Sequence, residues 1–148
     1  MNIIDAMLGE HAALRTFFTF VEQSSPHWTL ARWRAAAETM EALLRTHSVL
    51  EDELFFDALT AGHSGLQDTL EAMQEEHTSL RGMFARLSGV KTAKEFRQRM
   101  TELIELTREH FEVEERVLFR LAGEKLGAEN LSRLGKEWAR RRQLNLGE

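Results

Sequence analysis

Apolar residues recur along this chain at three- and four-residue intervals, in long runs that strand-like alternation does not describe, so the sequence predicts an all-helical protein. A first helix is expected from about Ile3 to Gln23, followed by a turn at Ser24-Ser25-Pro26 with the proline near the start of the next helix. The second carries the stripe Met40, Leu43, Leu44, His47, Leu50, Glu51, Leu54 and Phe55 and ends near Ala61-Gly62. Ser64-x-x-Gln67 has the form of a capping box and opens a third helix that ends at Ser88-Gly89. Thr92-x-x-Glu95 opens the fourth, whose stripe runs Phe96, Met100, Leu103, Thr107, His110, Val113, Glu114 and Val117 until Gly123 breaks the pattern. A shorter helix, roughly Ala128 to Arg142, completes the chain. Long helices joined by short loops favour antiparallel neighbours. The expected fold is therefore all-α, an up-down-up-down antiparallel four-helix bundle with an additional short C-terminal helix packed outside it. It forms a single domain over 1–148, with a bundle core over 1–122 and a helical extension over 123–148.

Within these stripes the sequence repeats itself. Ala6-Met7-x-x-Glu10-His11-x-x-Leu14-Arg15-x-x-Phe18 returns as Ala72-Met73-x-x-Glu76-His77-x-x-Leu80-Arg81-x-x-Phe84. Each copy is followed by a second matching segment, His47-x-x-x-Glu51 in one half and His110-x-x-x-Glu114 in the other. On a helix, residues i and i+4 lie ~6 Å apart along the axis and ~40° apart around it. Each pair therefore presents an imidazole and a carboxylate on one face, and that face is the inward one. With His11 and His77 from the other two helices, the bundle interior gathers four imidazoles and two carboxylates.

Composition narrows what they hold. The chain has no cysteine, which removes thiolate ligands, iron-sulfur clusters, disulfides and cysteine nucleophiles, and no tyrosine, which removes tyrosyl-radical chemistry. A net charge of -5 argues against a general nucleic-acid binder. No stretch approaches the ~20 apolar residues that span a bilayer, and Met-Asn-Ile-Ile-Asp has no signal-peptide character, so no membrane association and a cytoplasmic location are expected.

Four imidazoles and two carboxylates suit two borderline transition-metal ions, not Mg²⁺ or Ca²⁺. Two histidines per metal and two bridging carboxylates give each ion four protein donors, and a shared oxide or hydroxide makes five. An octahedral ion then keeps one position for a small molecule such as dioxygen, peroxide or nitric oxide. Without a cation, burying these groups together costs several kcal/mol for each unpaired charge.

The order His, His-x-x-x-Glu, His, His-x-x-x-Glu on four successive helices resembles the hemerythrin-like, HHE cation-binding family over nearly the whole chain. The resemblance implies a four-helix bundle with a non-haem di-iron centre, two Fe ions bridged by oxide or hydroxide. His11, His47, His77 and His110 would be terminal ligands, and Glu51 and Glu114 bridges. The pattern departs from the oxygen-carrying hemerythrins in two places. Those proteins have His-x-x-x-His on the third helix, where this chain has Met73 at the first position, and His-x-x-x-x-Asp on the fourth, where this chain has His110-x-x-x-Glu114. It is closer to the four-histidine, two-glutamate branch that includes iron-sulfur centre repair proteins. That branch usually carries an additional cysteine-bearing N-terminal domain, and this sequence has no cysteine.

The expected function is a di-iron protein that binds or reacts with a small diatomic ligand or peroxide as a sensor or scavenger. The alternative is an iron-storage or iron-donor protein without catalysis. A ferritin-like oxidase needs Glu-x-x-His pairs, which are absent here, and a mononuclear zinc hydrolase leaves much of the ligand set unused. Met7 and Met73, one turn before His11 and His77, are read as core filler, with a role in walling the open metal positions as the alternative. Arg15 and Arg81, one turn beyond the same histidines, are read as snorkelling to solvent, with contact to the histidines' outer nitrogens as the alternative. His27 and His63 fall in expected loops and are left out of the site. Lys136, Arg140, Arg141 and Arg142 read as a solvated face, and Asp52 and Glu53 as surface charges beside Glu51.

Overall fold

The computed structural model describes residues 1–61 and 64–144, apart from the side chain of Ser64, and among them the only regular structure is helical. Helix α1 (Ile3–Ser24) starts at a reciprocal cap that the sequence reading did not pick out. The Asn2 side chain accepts the amides of Ile4 and Asp5, and Asp5 returns a carboxylate oxygen to the Asn2 N–H at 3.1 Å. Pro26 stays in the turn rather than opening the second helix. Helix α2 (Leu30–Leu50) begins after Thr29, whose hydroxyl accepts the Arg32 amide at 3.3 Å.

From α2 the chain passes without a break into a π-helical turn (Glu51–Phe56) and then α3 (Asp57–Thr60). A 3₁₀ turn at Ser64–Leu66 precedes α4 (Gln67–Leu87), which has Leu66 at its cap position and no side-chain cap. The helix thus opens later than the Ser64 capping box predicts; Gly62, His63 and the Ser64 side chain lie outside the described residues. Helix α5 (Ala93–Val113) is capped by Thr92, which accepts the Glu95 amide, while the Glu95 carboxylate turns away to Arg99. A second π-helical turn (Glu114–Leu118) leads into α6 (Phe119–Lys125) and α7 (Gly127–Arg141). Gly123 does not interrupt the helix. The break comes at Gly127, whose φ of +72° is the left-handed conformation that glycine adopts without strain.

Each π turn begins at a glutamate of the repeated motif. The wider turn moves the buried stripe on by a residue, so Val117 is only half-buried while Leu118, Phe119 and Ala122 take the inward positions; Val113, just before the turn, is half-buried as well. On α2, Leu43 faces outward at 44% exposure, contrary to the expected stripe, and Leu44 is buried.

Neighbouring long helices run antiparallel. Along α1 and α5, Arg15 faces Glu115 and Glu22 faces Arg108; along α2 and α4, Asp52 meets His77 and Arg34 reaches the Val90 carbonyl. Helices α2 and α5 also touch across the bundle. The apolar interior is divided in two. One cluster includes Leu14, Phe18, Trp28, Trp33, Phe84, Phe96 and Phe111 near the α1–α2 turn. The other includes Met7, Phe55, Met73, Leu118, Phe119 and Trp138 at the opposite end. A layer of buried polar side chains lies between them.

The C-terminal helix is less peripheral than expected. It packs on α1 and adds Leu131, Leu134, Trp138 and Ala139 to the second cluster, because its amphipathic apolar face closes the end of the bundle that the four long helices leave open. The approach is close: a Cβ at Gly135 would lie 2.8 Å from backbone atoms of Met1 and Asn2, so only glycine lets α7 sit at this depth. Among the described residues no helix is long and apolar enough to cross a membrane.

Candidate metal centre

The polar layer is made of the six residues that the repeat singled out. His11 on α1, His47 on α2, His77 on α4 and His110 on α5 are each buried, and Glu51 and Glu114, at the starts of the two π turns, are buried completely. The histidines form two pairs. Nε2 of His11 lies 3.2 Å from Nε2 of His47, and Nε2 of His77 lies 2.9 Å from Nε2 of His110.

The two carboxylates stand between the pairs. Glu114 Oε1 is 2.7 Å from His110 Nε2 and 3.6 Å from His77 Nε2, while its Oε2 is 3.3 Å from His11 Nε2. Glu51 Oε2 is 3.5 Å from His77 Nε2 and 3.7 Å from His47 Nε2. Each glutamate therefore reaches an imidazole of both pairs. Donor atoms of Glu51, His77, His110 and Glu114 lie within 4.8 Å of one another, as do those of His11, His47 and Glu114, so Glu114 belongs to both groups.

Despite these short distances, all four carboxylate oxygens are buried without an aligned hydrogen-bond partner among the described residues. A buried carboxylate oxygen left unsatisfied is strongly disfavoured in a protein interior. Here several converge on one point with inward-facing nitrogens, which is the environment a cation satisfies. The donor set of imidazole nitrogen and carboxylate oxygen fits a borderline divalent ion.

The outer nitrogens explain why the inner ones face inward. Nδ1 of His47 donates to Glu10 at 2.7 Å and Nδ1 of His110 to Glu76 at 2.6 Å. Nδ1 of His11 donates to Glu115 at 2.8 Å and Nδ1 of His77 to Asp52 at 3.1 Å. In its neutral form each ring keeps the proton on Nδ1, against its carboxylate, and leaves the Nε2 lone pair toward the centre. The pattern obeys the repeat. The acid just before each α1 or α4 histidine holds the other histidine of its own half, and the acid just after each buried glutamate holds a histidine of the opposite half.

None of these four carboxylates is a candidate on sequence grounds, where Asp52 reads as a surface charge. The signal was present, since Glu10-His11 and Glu76-His77 are identical dipeptides of the repeat and both buried glutamates are followed by an acid. Arg15 also differs from expectation. It donates to Glu115 at 2.7 Å, on the same oxygen that holds His11, rather than snorkelling to solvent. Arg81, its counterpart, bonds Thr78 at 3.0 Å. Arg141 and Arg142 are not simply solvated either, and pair with Glu53 and Glu10. Met7 and Met73 sit in the apolar cluster below the site, in keeping with core packing, and His27 is exposed.

Burial and neighbouring charge distribute the protons. Burial, reinforced by Glu114, pushes the Glu51 carboxyl well above the usual carboxylate range. Burial acts the same way on Glu114, but the imidazoles of His11, His110 and His77 outweigh it and hold this group well below that range. Desolvation lowers His47 and keeps it neutral. For His77, burial opposes the charged form, yet Asp52 and Glu114 together raise it to about 9. His110 is also raised, by Glu114 and Glu76 against burial.

Aromatic rings wall the layer. Phe111 stacks on His11 with centroids 3.8 Å apart and planes 12° from parallel, and Phe119 covers the same ring from 5.5 Å. Between α2 and α4 a cavity of about 30 Å³ reaches His47, His77 and His110, with Leu44, Leu80, Phe84 and Phe111 as apolar walls and the exposed Arg45 and Arg81 at its edge. That volume is about the share of one water molecule. His11 is not among its walls.

Residues 2–122 match the family model described as the Hemerythrin HHE cation binding domain. No curated protein and no solved structure matches the chain.

Proposed function

Because the chain belongs to the hemerythrin HHE cation-binding family, we propose that its polar layer holds two iron ions and binds or reacts with a small ligand, dioxygen, nitric oxide or peroxide, as a sensor or scavenger. His11 and His47 would hold one ion, His77 and His110 the other, and Glu51 and Glu114 would span both. The observation that carries this reading is the set of buried, unpartnered carboxylate oxygens standing between two pairs of Nε2 atoms. A single ion would leave one imidazole pair and part of that carboxylate surface unsatisfied.

When bound, the metals would supply electrons and an open coordination position. The chain itself does the rest. Glu10, Asp52, Glu76 and Glu115 fix the tautomer and direction of every imidazole, and Phe111 and Phe119 exclude water from His11. The cavity between α2 and α4 gives a water-sized molecule a way to the centre.

The test is anaerobic loading with ferrous iron, metal analysis, and optical spectra on adding dioxygen, nitric oxide or peroxide in turn. Two irons per chain and a ligand-dependent spectrum are expected. One iron per chain would overturn the paired centre. Two irons with no spectral response, released to an apo acceptor, would replace this reading with iron storage or donation.

A further inference from the structure

The repeat makes the two halves of the site alike in sequence, but the charges behind the imidazoles are not alike. Behind His11, the carboxylate of Glu115 is engaged by Arg15. Behind His47, the carboxylate of Glu10 is engaged by Arg142, at the end of α7 and outside the residues that match the family domain. Behind His77 and His110, neither Asp52 nor Glu76 has an arginine or lysine partner among the described residues. The repeat equivalent of Arg15 is Arg81, and it bonds Thr78 instead of Asp52.

Both outer carboxylates of one imidazole pair are thus neutralised, and both of the other pair keep their charge. We propose that the two metal positions are electrostatically inequivalent, and that Arg142 is a positioning residue through which the C-terminal helix sets the difference. This rests on the paired metal centre proposed above. A carboxylate on Nδ1 makes its imidazole a stronger donor, and an arginine drawing on that carboxylate weakens the effect. Among the carboxylates behind the rings, those of the His77–His110 position therefore carry two more uncompensated negative charges than those of the His11–His47 position, while Arg45 and Arg81 lie at the edge of the cavity that reaches both pairs, and this difference favours a divalent ion at the His77–His110 position. Asp52 and Glu76 are partly exposed, which screens this field without cancelling it.

The geometry of α7 supports a dedicated role. Gly135 lets the helix lie against the start of α1, Trp138 and Leu134 anchor it in the core, and Arg142 then reaches Glu10 at 24% exposure. Arg142 is held at the end of a packed helix rather than on a free tail.

The test is stepwise addition of zinc to the metal-free protein carrying isotope-labelled histidine, followed by NMR and calorimetry. At a pH where all four imidazoles are neutral, the first equivalent is expected to shift His77 and His110 and the second His11 and His47, with affinities about tenfold or more apart. Arg142→Gln should tighten the second step and narrow the gap, and Arg142→Lys should retain it. Glu76→Gln, a change at a half-exposed side chain, should narrow the gap from the other side and keeps the inference falsifiable if Arg142→Gln fails to fold. Simultaneous filling, the reverse order, or a gap that widens in Arg142→Gln would overturn the inequivalence while leaving two metals in place. Failure to bind a second ion would overturn the paired centre, and this inference with it.

Discussion

Nε2 of His11 and Nε2 of His47 face each other at 3.2 Å although the Nδ1 of each ring is already donating to a carboxylate. Two neutral imidazoles in this arrangement present lone pair to lone pair, and the contact becomes favourable only when a cation or a proton lies between them. Metal removal is therefore expected to lower stability substantially. At ligand concentrations ~1,000 times Kd, binding adds about 4 kcal/mol. Thermal unfolding followed by circular dichroism, with iron or zinc and then with a chelator, measures this. Equal midpoints in the two conditions would contradict it.

The two buried glutamates should respond differently to neutral substitution. Burial and Glu114 favour the protonated form of Glu51, so Glu51→Gln is the milder replacement and should change metal-free stability by less than about 1 kcal/mol. Glu114 is held ionised among three imidazoles, and Glu114→Gln should cost about 3–5 kcal/mol under the same conditions. Both variants should lose one or both metals. Denaturant unfolding in chelator, with metal analysis, separates the two effects.

His77 gives stability and metal binding opposite pH dependences. Its folded-state pKa of about 9 lies above the ordinary 6.5, so its contribution to the metal-free fold is complete below about pH 6.5 and lost as pH rises through 9. Metal binding needs this imidazole neutral, so affinity should rise over the same window, with protons released on binding. Thermal midpoints in chelator and competition assays with a metal-binding dye, both from pH 6.5 to 9, would show curves of opposite slope.

Asp52→Asn should reduce metal affinity about 10–100-fold while leaving the fold intact, because Asn is a poorer acceptor for His77 Nδ1. Among the described residues Glu53, its neighbour, meets only Arg141, and Glu53→Gln should leave affinity unchanged. Competition with a chelator of known affinity makes the comparison, and equal losses in the two variants would remove Asp52 from the site.

Met73 packs among Met7, Phe55, Leu70 and Leu118, so Met73→Leu should cost less than about 1.5 kcal/mol and Met73→Ala about 2–5 kcal/mol. Both should retain two metals. Loss of metal in Met73→Leu, at unchanged stability, would assign this side chain to the centre rather than to packing.

The six inward residues and the helices that carry them were legible because helical periodicity and an internal repeat both report on buried faces. The π turns were not. Apolar spacing fixes a face, and the extra residue at Glu51 and again at Glu114 shifts that face without leaving a breaker residue to mark it. The outer carboxylates Glu10, Asp52, Glu76 and Glu115 were hidden for another reason. A charge at the edge of a helical stripe looks the same in sequence whether it faces water or a histidine on a neighbouring helix, and only packing distinguishes the two. The same holds for Arg142, whose partner Glu10 is far away along the chain.

The polar layer also separates the protein into two optical compartments. Trp28 and Trp33 lie in one apolar cluster, with ring centroids 5.2 Å apart, and Trp138, on the C-terminal helix itself, lies in the other. With no tyrosine in the chain, tryptophan emission is not fed by a second fluorophore. A protein carrying Trp28→Phe and Trp33→Phe would therefore emit from Trp138 alone and report the docking of α7 independently of the far end. The converse variant, Trp138→Phe, would report that far end, so loosening of either side of the centre becomes visible without an added label.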